Sequence, residues 1–108
     1  MTIEDKKTLG KLKQYINAIS RVCQIKAVYL FGSSVHNDNI ETSDIDLAII
    51  SDAFGESNFI EYLSKFLLIS AEHRLNIEPH LFRPEDLDED FVSKEIVSRG
   101  IKLLPSAA

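Results

Sequence analysis

Two short apolar runs, Tyr29 to Phe31 and Leu47 to Ile50, bracket a polar connection that opens Gly32-Ser33-Ser34 and closes Asp44-Ile45-Asp46. This stretch constrains the chain more than any other, because it reads as strand, sharp turn, polar connection and strand. Gly32 permits the backbone conformation and close approach that a tight turn off a strand demands. The Ser33 and Ser34 amides and hydroxyls are then free to cap a short helix or to cradle a phosphate. Asp44 and Asp46 stand two apart, so on an extended chain both carboxylates leave one face while Ile45 points to the other. Such a pair repels, and no basic residue adjoins it in sequence. A divalent cation relieves the repulsion, and oxygen-only ligands suit Mg²⁺ or Mn²⁺.

A phosphate cradle followed by paired carboxylates is the equipment for phosphoryl or nucleotidyl transfer. The plainer reading makes Gly32-Ser33-Ser34 a turn and the aspartates ordinary loop and strand-entry residues. Gly32-Ser33, ten further residues and then Asp44-Ile45-Asp46, with an apolar strand on each side, resembles the signature of the polymerase-β-like nucleotidyltransferase superfamily. The nearest look-alike is its smallest branch, the minimal nucleotidyltransferases of bacterial and archaeal HEPN–MNT toxin–antitoxin pairs. The tract IEPHLFRPEDL also looks like the corresponding tract of that branch, so the resemblance covers about Ile25 to Leu103. It implies an α+β (α/β) fold, a small mixed β-sheet flanked by helices.

The chain has 108 residues, which suits one domain over 1–104 followed by a frayed tail over 105–108. A net charge of −5 argues against a protein that grips nucleic acid through its own surface. A bound nucleotide stays open, since a metal ion supplies positive charge locally. With Cys23 as the single cysteine, no internal disulfide can form, and a reducing cytoplasm fits best. Apolar runs fall far short of the roughly 18 residues needed to cross a bilayer, and the N-terminus lacks the apolar core of a signal peptide. A cytoplasmic protein without membrane contact is the expectation.

Leu9, Leu12, Ile16, Ile19 and Cys23 recur at three- and four-residue steps, which predicts a helix from about Ile3 to Cys23 with Cys23 as a small buried side chain rather than a reactive thiol. Ile25 to Phe31 predicts a strand. Leu47 to Ile50 is apolar without alternation, as in a strand covered on both faces. Ser57 or Asn58 can cap a second helix that runs to about His73. Its Phe59, Ile60, Leu63, Phe66, Leu67 and Ile69 occupy more than half the circumference, so the helix is either well buried, the default, or has a spare apolar face for a partner. Ile77 to Phe82 predicts a third strand, and Pro79, which cannot donate to a ladder, makes it an edge or a bulged strand. A helix from about Glu85 or Asp88 to Arg99 follows, stopped by Gly100. Its acidic start, Glu85 to Asp90, reads as a solvated helix beginning rather than a metal site. Ile101 to Leu104 adds a short strand or packing segment.

Metal-dependent nucleotidyl transfer generally needs a further acid beside the paired aspartates. In the family that acid sits on the strand after the helix that follows them, and here that strand carries Glu78. A glutamate in an otherwise apolar strand is costly to bury without partners; the plainer alternative is an exposed residue on an edge strand. Many family members have Asp there, so the longer Glu78 side chain bears on metal geometry. The family also often places Arg three positions after the motif serine, where this chain has His36. His offers one or two donors and is mostly neutral at pH 7, which implies a weaker grip on phosphate. His73 and His80 have no metal-like spacing with other ligands and are read as structural.

The resemblance thus implies catalytic and metal-binding roles for Asp44, Asp46 and Glu78, with two Mg²⁺ ions. It assigns nucleotide contacts to Gly32, Ser33, Ser34 and His36. ATP is the implied donor, and Glu78 or a water on the metal is the implied acceptor of the proton. The chain is short for an acceptor-binding domain of its own. With the acidic charge and the apolar second helix, that points to a protein acceptor: a tyrosine of a HEPN ribonuclease toxin, neutralised by adenylylation in the manner of a type VII-like antitoxin. A homo-oligomer or a hetero-oligomer with the toxin is compatible with this. Two alternatives stand beside it, a non-catalytic antitoxin or regulatory module with the same fold, and a nucleotidyltransferase whose small-molecule acceptor is bound by a separate chain.

Overall fold

A computed structural model describes residues 6–32, 45–89 and 92–104 of the chain. At its centre lies a four-stranded sheet, built from β1 (Ala27–Phe31), β2 (Ile45–Ile50), β3 (Ile77–Phe82) and β4 (Ile101–Leu104), in the order β3-β2-β1-β4. The β1 strand runs antiparallel to both β2 and β4, while β2 and β3 are parallel. A parallel pair cannot be joined by a hairpin, and the crossover is helix α2 (Phe59–Glu72). The expected mixed sheet flanked by helices is therefore present. The β1 strand is buried at every position and β2 at every position but Asp46, which is why neither sequence alternates. Pro79 lies on an edge strand, where a missing donor leaves no ladder bond open on the outer side.

The two faces of the sheet carry separate cores. On one, Val28, Leu30, Ile45, Leu47, Ile49 and Ile77 pack against Leu12, Tyr15, Ile16 and Ile19 of helix α1 (Lys6–Ser20) and Phe66 of α2. On the other, Ala27, Tyr29, Phe31, Ala48 and Ile50 pack against Val92 and Ile96. Val92 and Ile96 belong to a π-helical segment, Val92–Ser98, preceded by a 3-10 helix at Pro84–Asp88. The single helix expected from about Glu85 or Asp88 to Arg99 is thus two short pieces. The break falls at Glu89, whose backbone is extended (φ −71°, ψ 141°). Residues 90 and 91 lie outside the described residues. Two of the acids serve the 3-10 turn: the Arg83 amide donates to Asp86 Oδ2 at 2.9 Å and Arg83 Nε to Glu85 Oε1 at 2.6 Å. Gly100 ends the segment, and a Cβ there would collide with the Ile96 and Leu30 carbonyl oxygens, both backbone atoms that cannot swing away.

Helix α1 stops at Ser20, short of the expected Cys23, which stands half-buried in the turn beyond and packs against the α1 side of the core. Its thiol pKa is raised by burial, against a lesser lowering by the Ser51 hydroxyl, so the reactive thiolate is disfavoured. The start of α1 expected at Ile3 and the tail over 105–108 lie outside the described residues. Asn58 precedes α2 as expected but makes no side-chain cap bond. It spans the preceding turn instead, accepting from the Gly55 amide and donating to the Ala53 carbonyl. At the other end Arg74 adopts a left-handed backbone (φ 55°), and the Arg74 and Leu75 amides close onto the Ala71 and Ser70 carbonyls. That is the Schellman arrangement, with Arg where glycine is usual. Ser70 then splices helix to strand, donating to the Leu75 carbonyl and accepting from the Ile77 amide.

The default of a buried α2 is corrected. Phe66 and Ser70 are buried, but Ile60 is 69%, Leu68 65% and Leu67 46% exposed. The helix lies on the sheet through one side, and α1 occupies the neighbouring space, so the remaining apolar side meets solvent. Among the described residues no helix is long and apolar enough to cross a membrane.

Candidate active site

The register of the parallel pair sets Asp46 directly beside Glu78, and the antiparallel pair sets Phe31 on its other side. Neighbours in register share a face, so Asp46 and Glu78 leave the sheet together on the side opposite α1 and α2. Strand period two brings His80 to the same face. Asp46, Glu78 and His80 each offer a ligand atom, and these atoms all lie within 4.8 Å of one another. The patch is accessible: the Asp46 side chain is 19% exposed and Glu78 is exposed, beside the part of the sheet covered by Val92 and Ile96.

Each member is held differently. Asp46 belongs to a central strand, so its backbone is fixed on both sides by ladder bonds. Gly32 has φ +71°, a left-handed conformation suited to glycine. A Cβ there would stand 2.8 Å from Asp46 Oδ2. The expected close approach at Gly32 is therefore an approach to the Asp46 carboxylate itself. His80 Nε2 lies 3.3 Å from Asp46 Oδ1, and its ring stands edge-on to Phe31 with centroids 5.0 Å apart. Glu78 extends into solvent from the edge strand.

Of the residues expected at the site, the structure thus brings together Asp46 and Glu78, with Gly32 against Asp46. Asp44, Ser33, Ser34 and His36 lie outside the described residues. The expectation that His80 is merely structural is corrected, since its imidazole joins the two carboxylates. The signal was in the sequence: Glu78 and His80 stand two apart on a strand, a spacing that puts two side chains on one face. His73 does have a structural place, donating from Nδ1 to the Ile69 carbonyl at 2.9 Å and packing edge-on against Tyr15. Among the described residues the acids of the 3-10 turn form no comparable cluster.

The donor set suits a hard divalent cation, which takes carboxylate oxygens readily. Space is also kept for it, because the side chain missing at Gly32 is what leaves Asp46 Oδ2 uncrowded. Gly32→Ala tests that arrangement. The left-handed backbone costs about 1–3 kcal/mol with a side chain present. The carboxylate can swing aside, so stability should fall only toward the lower end of that range. A displacement of about 1 Å at a reacting group costs on the order of 100-fold, so transfer activity should fall much further than the melting temperature suggests. Equal, small losses in both measurements would show that Gly32 serves the turn alone.

Comparison with known proteins agrees with this geometry. Residues 11–106 match the family described as "Polymerase beta, Nucleotidyltransferase". A Methanocaldococcus jannaschii protein named "Putative protein adenylyltransferase" is 28% identical over 94 residues, an alignment that covers 83% of this chain and 92% of that protein. No solved structure matches the chain. With the family match running almost the whole length, and a mixed sheet placing two acids side by side, the chain belongs to the polymerase beta nucleotidyltransferase family and is a nucleotidyltransferase.

Proposed function

We propose that this enzyme moves AMP from ATP to a hydroxyl on a partner protein. The observation that carries the reading is the in-register pair Asp46 and Glu78 on an open sheet face, with Gly32 pressed against Asp46. Asp44, Asp46 and Glu78 would hold Mg²⁺, which when bound offsets the charge that develops on the phosphates. Ser33, Ser34 and His36 follow Gly32 in sequence, and they are assigned to the triphosphate. Glu78, exposed on an edge strand, accepts the proton of the attacking hydroxyl. The new bond joins that oxygen to the α-phosphorus, the bond from the α-phosphorus to the β-phosphate oxygen breaks, and pyrophosphate leaves.

A protein acceptor is supported by two observations. Ile60, Leu67 and Leu68 present an apolar side of α2 to solvent, the kind of surface that marks a protein contact. The archaeal relative is also named for protein adenylylation. The acceptor we assign is a tyrosine of a HEPN ribonuclease toxin, the partner that likeness to the minimal nucleotidyltransferases implies, with this chain as its cytoplasmic antitoxin. The test is transfer of label from α-labelled ATP with Mg²⁺ onto the co-encoded neighbouring protein, beside an Asp44→Asn, Asp46→Asn double variant. Label that reaches a partner tyrosine and disappears in the variant is the expected result. A partner that is bound and silenced without label, from any of the four nucleotides, would overturn the reading in favour of a binding module.

A further inference from the structure

The cluster at the sheet edge contains a nitrogen donor that an all-oxygen site lacks. We infer that His80 Nε2 is a direct ligand of the cation held by Asp46 and Glu78, and that it shifts the site's preference from Mg²⁺ toward Mn²⁺. The inference rests on the reading that these two carboxylates hold a cation.

Three features of the structure carry it. The nitrogen that faces Asp46 is Nε2, 3.3 Å from Oδ1, and the His80 ring offers a ligand nitrogen within 4.8 Å of the Asp46 and Glu78 ligand oxygens. One ion can therefore reach all three donors. The ring is already oriented, because its face is set by the edge-on contact with Phe31, a buried residue of a central strand. The strand geometry also aims it: His80 follows Glu78 by two positions, so both side chains leave β3 toward the same place. A histidine placed only to pack would have no reason to present this nitrogen to a carboxylate at the mouth of the site. With the ring proton on Nδ1, Nε2 offers its lone pair to the ion, and in the ion's absence the other tautomer donates to Asp46.

The chemical consequence follows from ligand preference. Mg²⁺ demands oxygen and near-ideal octahedral geometry, and it binds imidazole poorly. Mn²⁺ is also content with carboxylates, but it accepts a nitrogen and stands among the metals ordered by N/O-site affinity. An imidazole added to the carboxylates therefore discriminates between two ions that carboxylates alone treat more evenly.

The experiment uses the intact chain with Mn²⁺ alone, without nucleotide or acceptor, so it does not depend on identifying the protein that is modified. Mn²⁺ is titrated by EPR with Mg²⁺ as competitor, and bound Mn²⁺ is examined by electron spin-echo envelope modulation, which detects a directly coordinated histidine nitrogen. The expected result is nitrogen modulation in the natural protein, lost in His80→Gln, with Mn²⁺ affinity reduced about 10-fold and Mg²⁺ affinity little changed. Bound Mn²⁺ that shows no nitrogen modulation, or modulation that persists in His80→Gln, overturns the inference about His80 and leaves the carboxylate site standing. Mn²⁺ binding that survives Asp46→Asn unchanged overturns the carboxylate site as well.

Discussion

Replacing Glu78 with glutamine is expected to lower nucleotidyl transfer by about 10²- to 10⁴-fold, the range for loss of a positioned general base. The substitution keeps the shape and removes the carboxylate proposed to accept the proton and to ligate the cation. It should barely affect folding, because Glu78 is exposed on an edge strand and its neighbour in register, Asp46, is held by its own strand. Thermal melting and single-turnover transfer from α-labelled ATP separate the two effects. A change of threefold or less in the transfer step, with product release excluded as rate-limiting, would remove Glu78 from the chemistry. Asp46→Asn is the informative companion. If both acids act on one cation, the double variant should be little worse than the poorer single one, since residues acting as a unit are far from additive.

Phe66→Ala is expected to cost about 3–5 kcal/mol of folding stability, a large part of the roughly 5–15 kcal/mol available to a domain of this kind. Phe66 is fully buried where α1, α2 and the sheet meet. Its ring forms a three-ring cluster with Phe54 and Tyr62, whose centroids are 5.9 and 6.1 Å from it and 5.4 Å from each other. Its carbonyl accepts the buried Tyr15 hydroxyl at 3.2 Å, which ties α2 to α1. Burial also raises the Tyr15 pKa, so the hydroxyl keeps its proton and its bond. Removing the ring leaves a cavity that the central strands β1 and β2 cannot collapse into. Urea denaturation should show a lower midpoint at an unchanged slope. A loss under about 1.5 kcal/mol, the usual ceiling for volume-conserving core changes, would mean that α2 can re-seat on the sheet. Leu67→Ala, by contrast, removes a side chain that is 46% exposed, and its cost should be small unless a partner covers it.

Much of the fold was legible because its causes are local. The apolar runs that form β1 and β2 lack alternation because both faces are covered, and that follows from the residues themselves. Pro79 announced an edge strand because a residue without an N–H cannot sit in the middle of a ladder. Gly32 announced a left-handed turn, and the structure places it there. The split of the last helix was not legible, because its acids and apolar residues suit a continuous helix equally well. What divides it is the extended backbone at Glu89, between a 3-10 turn and a segment that must drop Val92 and Ile96 onto the sheet.

The site divides in the same way. Sequence alone determined that this chain would carry acids at strand positions and a glycine turn beside them, since face and turn geometry follow from spacing and residue type over a few positions. Only the tertiary structure decided which groups would meet. Asp46 and His80 are 34 residues apart in sequence, and their meeting depends on α2 carrying β3 back alongside β2 in one particular register. A slip of one residue would turn Glu78 and His80 to the opposite face. Burial of Ile45, Leu47, Ile49 and Ile77 on the α1 side forbids that slip, so the packing of one face of the sheet places the chemistry on the other.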